Sequence, residues 1–168
     1  MKSLRKAAEK VSDWLEFMTI AVSVVLAVNM VIVVNVNVFF RYVVQESFQW
    51  VEELSVYSMI WMGLLCASVV YKKRGHPAID VFVANLPKNV RIFLGWLIEI
   101  VIAVFLIVVI YKGFNYAFES GSKRFTNSLG ITLTLPYLAP PVGCALILLQ
   151  QILTLIVKGV NVPGQRGQ

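Results

Sequence analysis

Glu99 is the residue whose type and position first indicate chemistry, because it is the only ionisable side chain inside a long apolar run of this sequence. A charge within the hydrocarbon of a membrane is costly unless it is paired, hydrated or neutralised. A carboxylate in that setting either relays protons or cations, or accepts a hydrogen bond from a neighbouring helix or partner subunit. No second carboxylate lies in any apolar run, so the hydrogen bond is the favoured interpretation.

Amides form a second polar group, in the first apolar run. Asn29 and Asn37 fall on one helical face, Arg41 follows one turn beyond Asn37, and Asn35 points away. Asparagine amides bridge helices in membranes, and each such bond contributes about 0.6–2 kcal/mol. We therefore predict that Asn29, Asn37 and Arg41 contact a neighbouring helix or subunit, and a substrate path is the less favoured alternative.

Small residues mark one face of the second apolar run, where Gly63 and Ala67 are spaced four apart. Such spacing lets the backbones of two membrane helices approach closely. The face fits an interface with a partner subunit. It equally fits packing among the helices of this chain, and the sequence does not separate the two.

Catalysis is poorly supported, and we predict no enzyme activity, cofactor or metal. His76 is the only histidine, so a haem held by two histidines is excluded. Cys66 and Cys144 lie in separate apolar runs and offer too few ligands for a structural metal site. No phosphate-binding loop is present. The basic residues flank apolar runs, so nucleic acid is not an expected partner.

The elements that position these residues follow from the composition, which is 58% hydrophobic and only 14% charged. A membrane span needs about 20 apolar residues. Four stretches approach that length: 17–40, 54–71, 92–111 and 135–157. The chain is therefore predicted to be an all-α integral membrane protein, a single membrane domain over 1–168 with four transmembrane helices. The third helix is expected to continue past Lys112 toward Ser120.

Basic residues predict the orientation. Eleven Lys and Arg residues lie in the two terminal segments and the second connection, against four in the first and third connections. The positive-inside rule then places both termini in the cytoplasm. The first run has 24 uncharged residues, which is too long for the apolar core of a cleaved signal peptide.

Two surface helices are expected beside the spans. Over 3–16 an apolar stripe faces one side and charged residues face the other, which suits the anionic membrane surface. The alternative is a solvated extension of the first span. The apolar stripe of this first stretch consists of Leu4, Ala8, Val11, Leu15 and Met18. A second amphipathic stretch over 77–86 ends at Pro87.

Several motifs in a fixed order suggest a family. The stretch from Arg41 to Leu54 reads RYVVQESFQWVEEL and is followed by Trp61, Gly63 and Ala67. KKRGHPAID comes after Tyr71, and Leu86-Pro87 follows it. Before the last span stand SLGI from Ser128 and PYLAPPVG from Pro136 to Gly143. Together, over 38–151, they resemble the small membrane (Q-type) subunit of tripartite ATP-independent periplasmic (TRAP) transporters.

The resemblance implies a bacterial inner-membrane secondary transporter with three parts. A periplasmic solute-binding protein captures an organic carboxylate, such as sialic acid, another sugar acid or a C4-dicarboxylate. A large permease subunit imports it, usually with sodium. The small subunit is then a four-helix scaffold that carries no transport ions, braces the large subunit and contacts membrane lipids.

The first and third connections carry the remaining site candidates. Arg41, Glu52 and Glu53 bracket the first connection, where an Arg–Glu pair is favoured and an interface with the partner subunit is the alternative. Lys123 and Arg124 lie on the side that the positive-inside rule disfavours for basic residues, so we predict that they help to dock the solute receptor. Equally, they hydrate the end of a protruding third helix or pair with Glu119.

Two other classes compete with the scaffold. An autonomous, homo-oligomeric four-helix carrier of small molecules would centre on a carboxylate in the first span, whereas this chain has its carboxylate in the third. A membrane anchor for a redox enzyme would require paired histidines for haem.

Overall fold

The structure, a computed structural model, describes residues 2–46, 48–73 and 88–158. Four of its helices are long and apolar enough to cross a membrane, so the predicted all-α fold with four spans is confirmed. Within the described ranges the only pairing of extended backbone is an isolated bridge between Phe125 and Thr132. The helices are α1 (Lys2–Phe39), continued by a π-helical turn (Phe40–Val44), α2 (Gln49–Lys72), α3 (Lys88–Glu119), the short α4 (Thr134–Tyr137) and α5 (Ala139–Lys158).

The segment 3–16, which was predicted to form a surface helix, and the first span are one uninterrupted helix. The segment thus extends the first span, which was the alternative considered in the sequence analysis. No glycine or proline lies within α1 to end it. Its 38 residues give a length of about 57 Å, well beyond the ~30 Å of hydrocarbon in a bilayer. The charged first turns of α1 therefore extend past the span. The second predicted surface helix, 77–86, lies outside the described residues.

The buried side of this first segment matches the predicted apolar stripe only in part, since Ala8 is buried and Leu15 is half-buried. Ser12 is buried, whereas Val11 and Met18 are 47% and 41% exposed. Further along α1, Thr19 and Ser23 are buried as well. Lipid is as apolar as these valine and methionine side chains, so the small polar residues turn toward the other helices instead. The same preference is visible in α5, where Gln150 and Gln151 are almost completely buried.

Helix α5 lies at the centre of the packing, in contact with α1, α2 and α3, and α1 also packs along α2. Gly143 permits the close approach of α5 to α2, because a Cβ atom there would lie 2.6 Å from the Cβ of Leu64. A Cβ at Gly113 of α3 would lie 3.1 Å from the ring of Pro141 in α5. Glycines of α3 and α5 thus allow the helices of the bundle to pack closely.

The four long helices give the bundle two ends. We call the end with the starts of α1 and α3 the terminal end, and the other end, with the connections 40–48 and 120–133, the hairpin end. Helix α3 runs on to Glu119, as the sequence predicted. The 120–133 connection then folds back on itself, because the Thr126 N–H donates to the Ile131 carbonyl at 2.8 Å and the Leu133 N–H donates to the Arg124 carbonyl at 2.9 Å.

Candidate functional site

Glu99 lies in a cluster that joins three helices. The Gln151 Nε2 of α5 donates to both the carbonyl oxygen and the Oε2 of Glu99, each at 2.8 Å. The Tyr71 hydroxyl of α2 donates to the same Oε2. Hydrogen bonds between the helices of a membrane bundle hold those helices together. The predicted hydrogen bond between Glu99 and a neighbouring helix is confirmed.

The position of this cluster along the bundle is close to the terminal end. Tyr71 directly precedes Lys72, the last residue of α2. Among the described residues no group of three or more His, Cys, Asp or Glu side chains could hold a metal ion. The hydrogen bonds of Glu99 connect α2, α3 and α5, and Tyr71 in this cluster is one residue from a charged layer.

That charged layer links α1 to α2. The Lys72 Nζ lies 2.6 Å from the Asp13 Oδ1 and 2.7 Å from the Glu16 Oε2, and the Lys73 Nζ lies 3.2 Å from the Glu16 Oε1. The side chain of Lys72 is only 12% exposed, whereas that of Asp13 is 74% exposed. Solvent screens pairs of this kind in proportion to their exposure, so the Lys72–Glu16 contact is the better shielded of the two.

A third connection at this end joins α1 to α5. The Ser12 hydroxyl donates to the Gln150 Oε1 at 2.8 Å, and the Gln150 Nε2 donates to the Ser12 carbonyl at 3.2 Å. Both side chains are buried. Two adjacent amides of α5, Gln150 and Gln151, thus hold α1 and α3 respectively.

Glu53 is the corresponding polar group at the hairpin end. Its carboxylate accepts hydrogen bonds from three consecutive backbone N–H groups, those of Asn127 at 3.1 Å, Ser128 at 3.3 Å and Leu129 at 3.2 Å. Successive N–H groups that converge on one point form a concavity that binds anions. Glu53 therefore fixes the tip of the 120–133 connection to the start of α2.

The Arg–Glu pair predicted at this end is wrong for the described part of the chain, where Arg41 forms no ion pair with Glu52 or Glu53. Arg41 and Glu52 are both exposed, and Glu53 uses its oxygens for the loop amides. The carboxylate that an arginine was expected to hold is therefore bound by backbone N–H groups of the 120–133 connection.

Asn29, Asn37 and Arg41 of the first span, which were predicted to contact a neighbouring helix or subunit, do not act together in the structure. The Asn37 Oδ1 accepts from the Phe48 N–H at 3.0 Å and so closes the first connection. Asn29 is exposed and has no hydrogen bond within the described residues. Asn37 therefore holds the first connection, whereas Asn29 bonds to no described group, and Arg41 bonds to neither amide.

Gly63 on α2 does not pack closely against this chain. Gly63 is exposed, and a Cβ atom placed there would meet nothing within 4 Å. Ala67 is half-buried. Close packing inside the bundle uses Gly143 instead, so the surface around Gly63 is open.

The two basic residues of the third connection, Lys123 and Arg124, are exposed. Neither forms an ion pair with Glu119 or with any other described acidic side chain. The pairing alternative is therefore not what the structure has. Their side chains project from a loop whose backbone Glu53 holds.

Sequence reasoning missed several residues that join the helices. The adjacent amides of Gln150 and Gln151 stand in an apolar run, and that was a usable signal, since an amide in a membrane span usually bonds across helices. The role of Lys72 had no comparable signal, because a lysine at the end of a span is equally expected to face the lipid headgroups.

Comparison with known proteins gives a consistent picture. Residues 30–159 match the family described as tripartite ATP-independent periplasmic transporters, DctQ component. A protein of Haemophilus influenzae named as a TRAP transporter small permease is 24% identical over 144 residues, which cover 86% of each chain. The matched range takes in the whole of α2, α3 and α5.

Proposed function

Because this chain belongs to the DctQ-component family of TRAP transporters, we propose that it is the non-catalytic small permease subunit that braces a large permease subunit. That large subunit would import an organic carboxylate (sialic acid, another sugar acid or a C4-dicarboxylate) together with sodium. A periplasmic solute-binding protein would deliver the solute. The small subunit itself would hold the large one in the membrane while part of it moves.

The observation that carries this proposal is that the polar side chains inside the bundle bond one helix to another. Glu99 binds to α2 and α5, and Gln150 binds to α1. Lys72 joins α2 to α1. Each of these bonds ties one helix to another, which is the property that a rigid support requires. Interhelical hydrogen bonds of this kind stabilise membrane bundles.

The open surface of α2 is the proposed interface with the large permease. Gly63 and the half-buried Ala67 would admit a helix of that subunit at short distance. Arg41 and Glu52, exposed at the hairpin end, would pair with charged groups beyond the ends of its helices. Membrane lipids would cover the apolar sides that no protein contacts.

We propose further that both termini face the cytoplasm of the bacterial inner membrane, as the eleven-to-four division of basic residues favours. The hairpin end would then face the periplasm, where Lys123 and Arg124 would meet the receptor. Reporter fusions after Lys158 and at Gly121 test this orientation, and a periplasmic C-terminus contradicts it.

The bracing role is tested by co-purification and reconstitution. The chain should co-purify with the large permease, and liposomes that contain only this chain should take up no solute. Gly63→Phe should reduce recovery of the complex at least several-fold, because a bulky ring would separate the two helix backbones. The fold of the chain itself should survive, because nothing lies within 4 Å of that position.

Val104→Phe on α3 is the matched control, since Val104 is 57% exposed and enlarging it should leave the complex intact. Uptake by the chain alone would contradict the bracing role and support the homo-oligomeric carrier. Normal recovery of the Gly63→Phe complex would move the interface to another face.

A further inference from the structure

One exposed side of α1 is apolar along the whole span apart from a single amide. Its residues all lie outside the packing of the bundle, whereas Ser12, Thr19 and Ser23 on another side of α1 are buried. From first to last the side is about 32 Å long, close to the thickness of the hydrocarbon. We call it the α1 stripe, and its members are Met18, Val22, Val25, Asn29, Ile32, Val36 and Phe39.

Asn29 stands at the middle of the α1 stripe, about 16 Å from either end. Its amide has no hydrogen bond within the residues that the structure describes. The nearby Asn35 behaves differently, since its Nδ2 donates to the Val31 carbonyl of its own helix at 2.7 Å. Lipid tails offer no hydrogen bond, and an unpaired amide at that depth is costly. A polar group from outside the bundle would therefore stabilise Asn29, whose amide is not bonded to its own helix as that of Asn35 is.

The α1 stripe has the geometry that another helix needs to pack along it. Its members alternate by four and three residues, as residues along one face of a helix do, and paired helices meet along such faces. Val22, Asn29 and Val36 occupy equivalent positions of this repeat, and Val25 and Ile32 occupy the others. A single asparagine at one such position specifies the register and the number of helices of a parallel association.

A second copy of this chain can supply such a group. All copies of a membrane protein share one orientation, so two α1 helices related by a twofold axis along the membrane normal are parallel. Each Asn29 then lies at the depth of the other. An amide carries both a donor and an acceptor, so the two amides satisfy each other.

We propose that two copies of this chain associate through the α1 stripe, with the Asn29 side chains hydrogen-bonded to one another across a twofold axis. The surface around Gly63 belongs to a different helix, α2. The pairing of two small subunits would therefore bring two transporter complexes together, and it stands or falls independently of the bracing role.

Cysteine cross-linking in membranes that also contain the large permease tests the proposal. The exposed Cys66 is replaced by serine, and the buried Cys144 is left in place. Ile32→Cys, on the α1 stripe, should form a disulfide-linked dimer upon oxidation with copper phenanthroline. Val31→Cys should not, although the two positions are adjacent and 57% and 59% exposed.

Substitution of Asn29 gives the second measurement. Asn29→Val should weaken the association constant of the dimer about three- to thirty-fold, the range expected for one interhelical hydrogen bond. Asn29→Gln should preserve most of it. Because Asn29 bonds to nothing in the described bundle, both variants should keep the fold, and thermal unfolding at concentrations where the chain is monomeric checks this.

Three results would overturn the proposal. The first is equal cross-linking at Val31 and Ile32, which would indicate random collisions. The second is an Ile32→Cys dimer that forms without the large permease and disappears when the large permease is present, which would assign the α1 stripe to that subunit. The third is an unchanged dimer in the Asn29→Val variant.

Discussion

The two ends of the bundle hold their charged groups in different ways. At the terminal end, Lys72 of α2 binds the carboxylates of Asp13 and Glu16 on α1, so that one side chain holds another. At the hairpin end, Glu53 of the same helix binds three backbone N–H groups of a loop. The first arrangement joins two helices, and the second fixes the shape of a connection.

The difference has a consequence for what each end can tolerate. A contact between two side chains depends on both residue types, so it specifies which helices meet. A carboxylate held by backbone N–H groups depends on the path of the loop and not on the side chains that the loop carries. The side chains of the loop at the hairpin end are therefore free to serve a partner, while those of the terminal end serve the bundle.

The largest effect on stability is expected at the terminal end, for Glu99→Leu. Leucine leaves the Tyr71 hydroxyl and the Gln151 amide without their acceptor, at a cost of about 1–3 kcal/mol. Glu99→Gln keeps a carbonyl oxygen as acceptor, so it should cost less than half as much. Denaturant or thermal unfolding of the purified complex measures both. If Glu99→Gln abolished transport while the complex stayed assembled, an ionisable role of Glu99 would replace the structural one.

A smaller effect on stability, with a clear local signature, is expected for Glu53→Ala. Water would replace the carboxylate as the acceptor for the N–H groups of residues 127–129. The free energy of unfolding of the bundle should therefore fall by no more than about 1 kcal/mol. Hydrogen exchange at 127–129 should accelerate at least tenfold. Glu52→Ala is the control, because Glu52 is the exposed neighbour and does not bind the loop. Equal exchange in the two variants would mean that Glu53 does not shape this end.

The smallest effect is expected for the joint reversal Lys123→Glu and Arg124→Glu. The membrane complex should assemble normally, and receptor-dependent uptake should slow a few-fold at low salt and recover at high salt, since exposed charges mainly steer encounter. Lys112→Glu, an exposed reversal on the side of α3, should have no such effect. Uptake that is unchanged at every receptor concentration and ionic strength would exclude docking by these two residues.

The four helices were predictable because each needs a long apolar run, and so was a hydrogen-bonding partner for Glu99. The buried side of α1 was not. In water the apolar side of a helix indicates its interior, but in lipid that indication disappears, and Ser12 and Thr19 turn inward while Val11 and Met18 face out. The capture of Glu53 was also beyond prediction, since it depends on the path of the 120–133 backbone rather than on any side chain that the sequence displays.

The adjacent amides of α5 also influence the order in which the protein is assembled. Ser12 and Gln150 are separated by 138 positions, so the ribosome releases the first span long before the residue that holds it. Until α5 is present, Ser12 and Glu99 lack the hydrogen bonds that Gln150 and Gln151 provide. A chain that ends before Gln150 would therefore lack both contacts between α5 and the earlier helices.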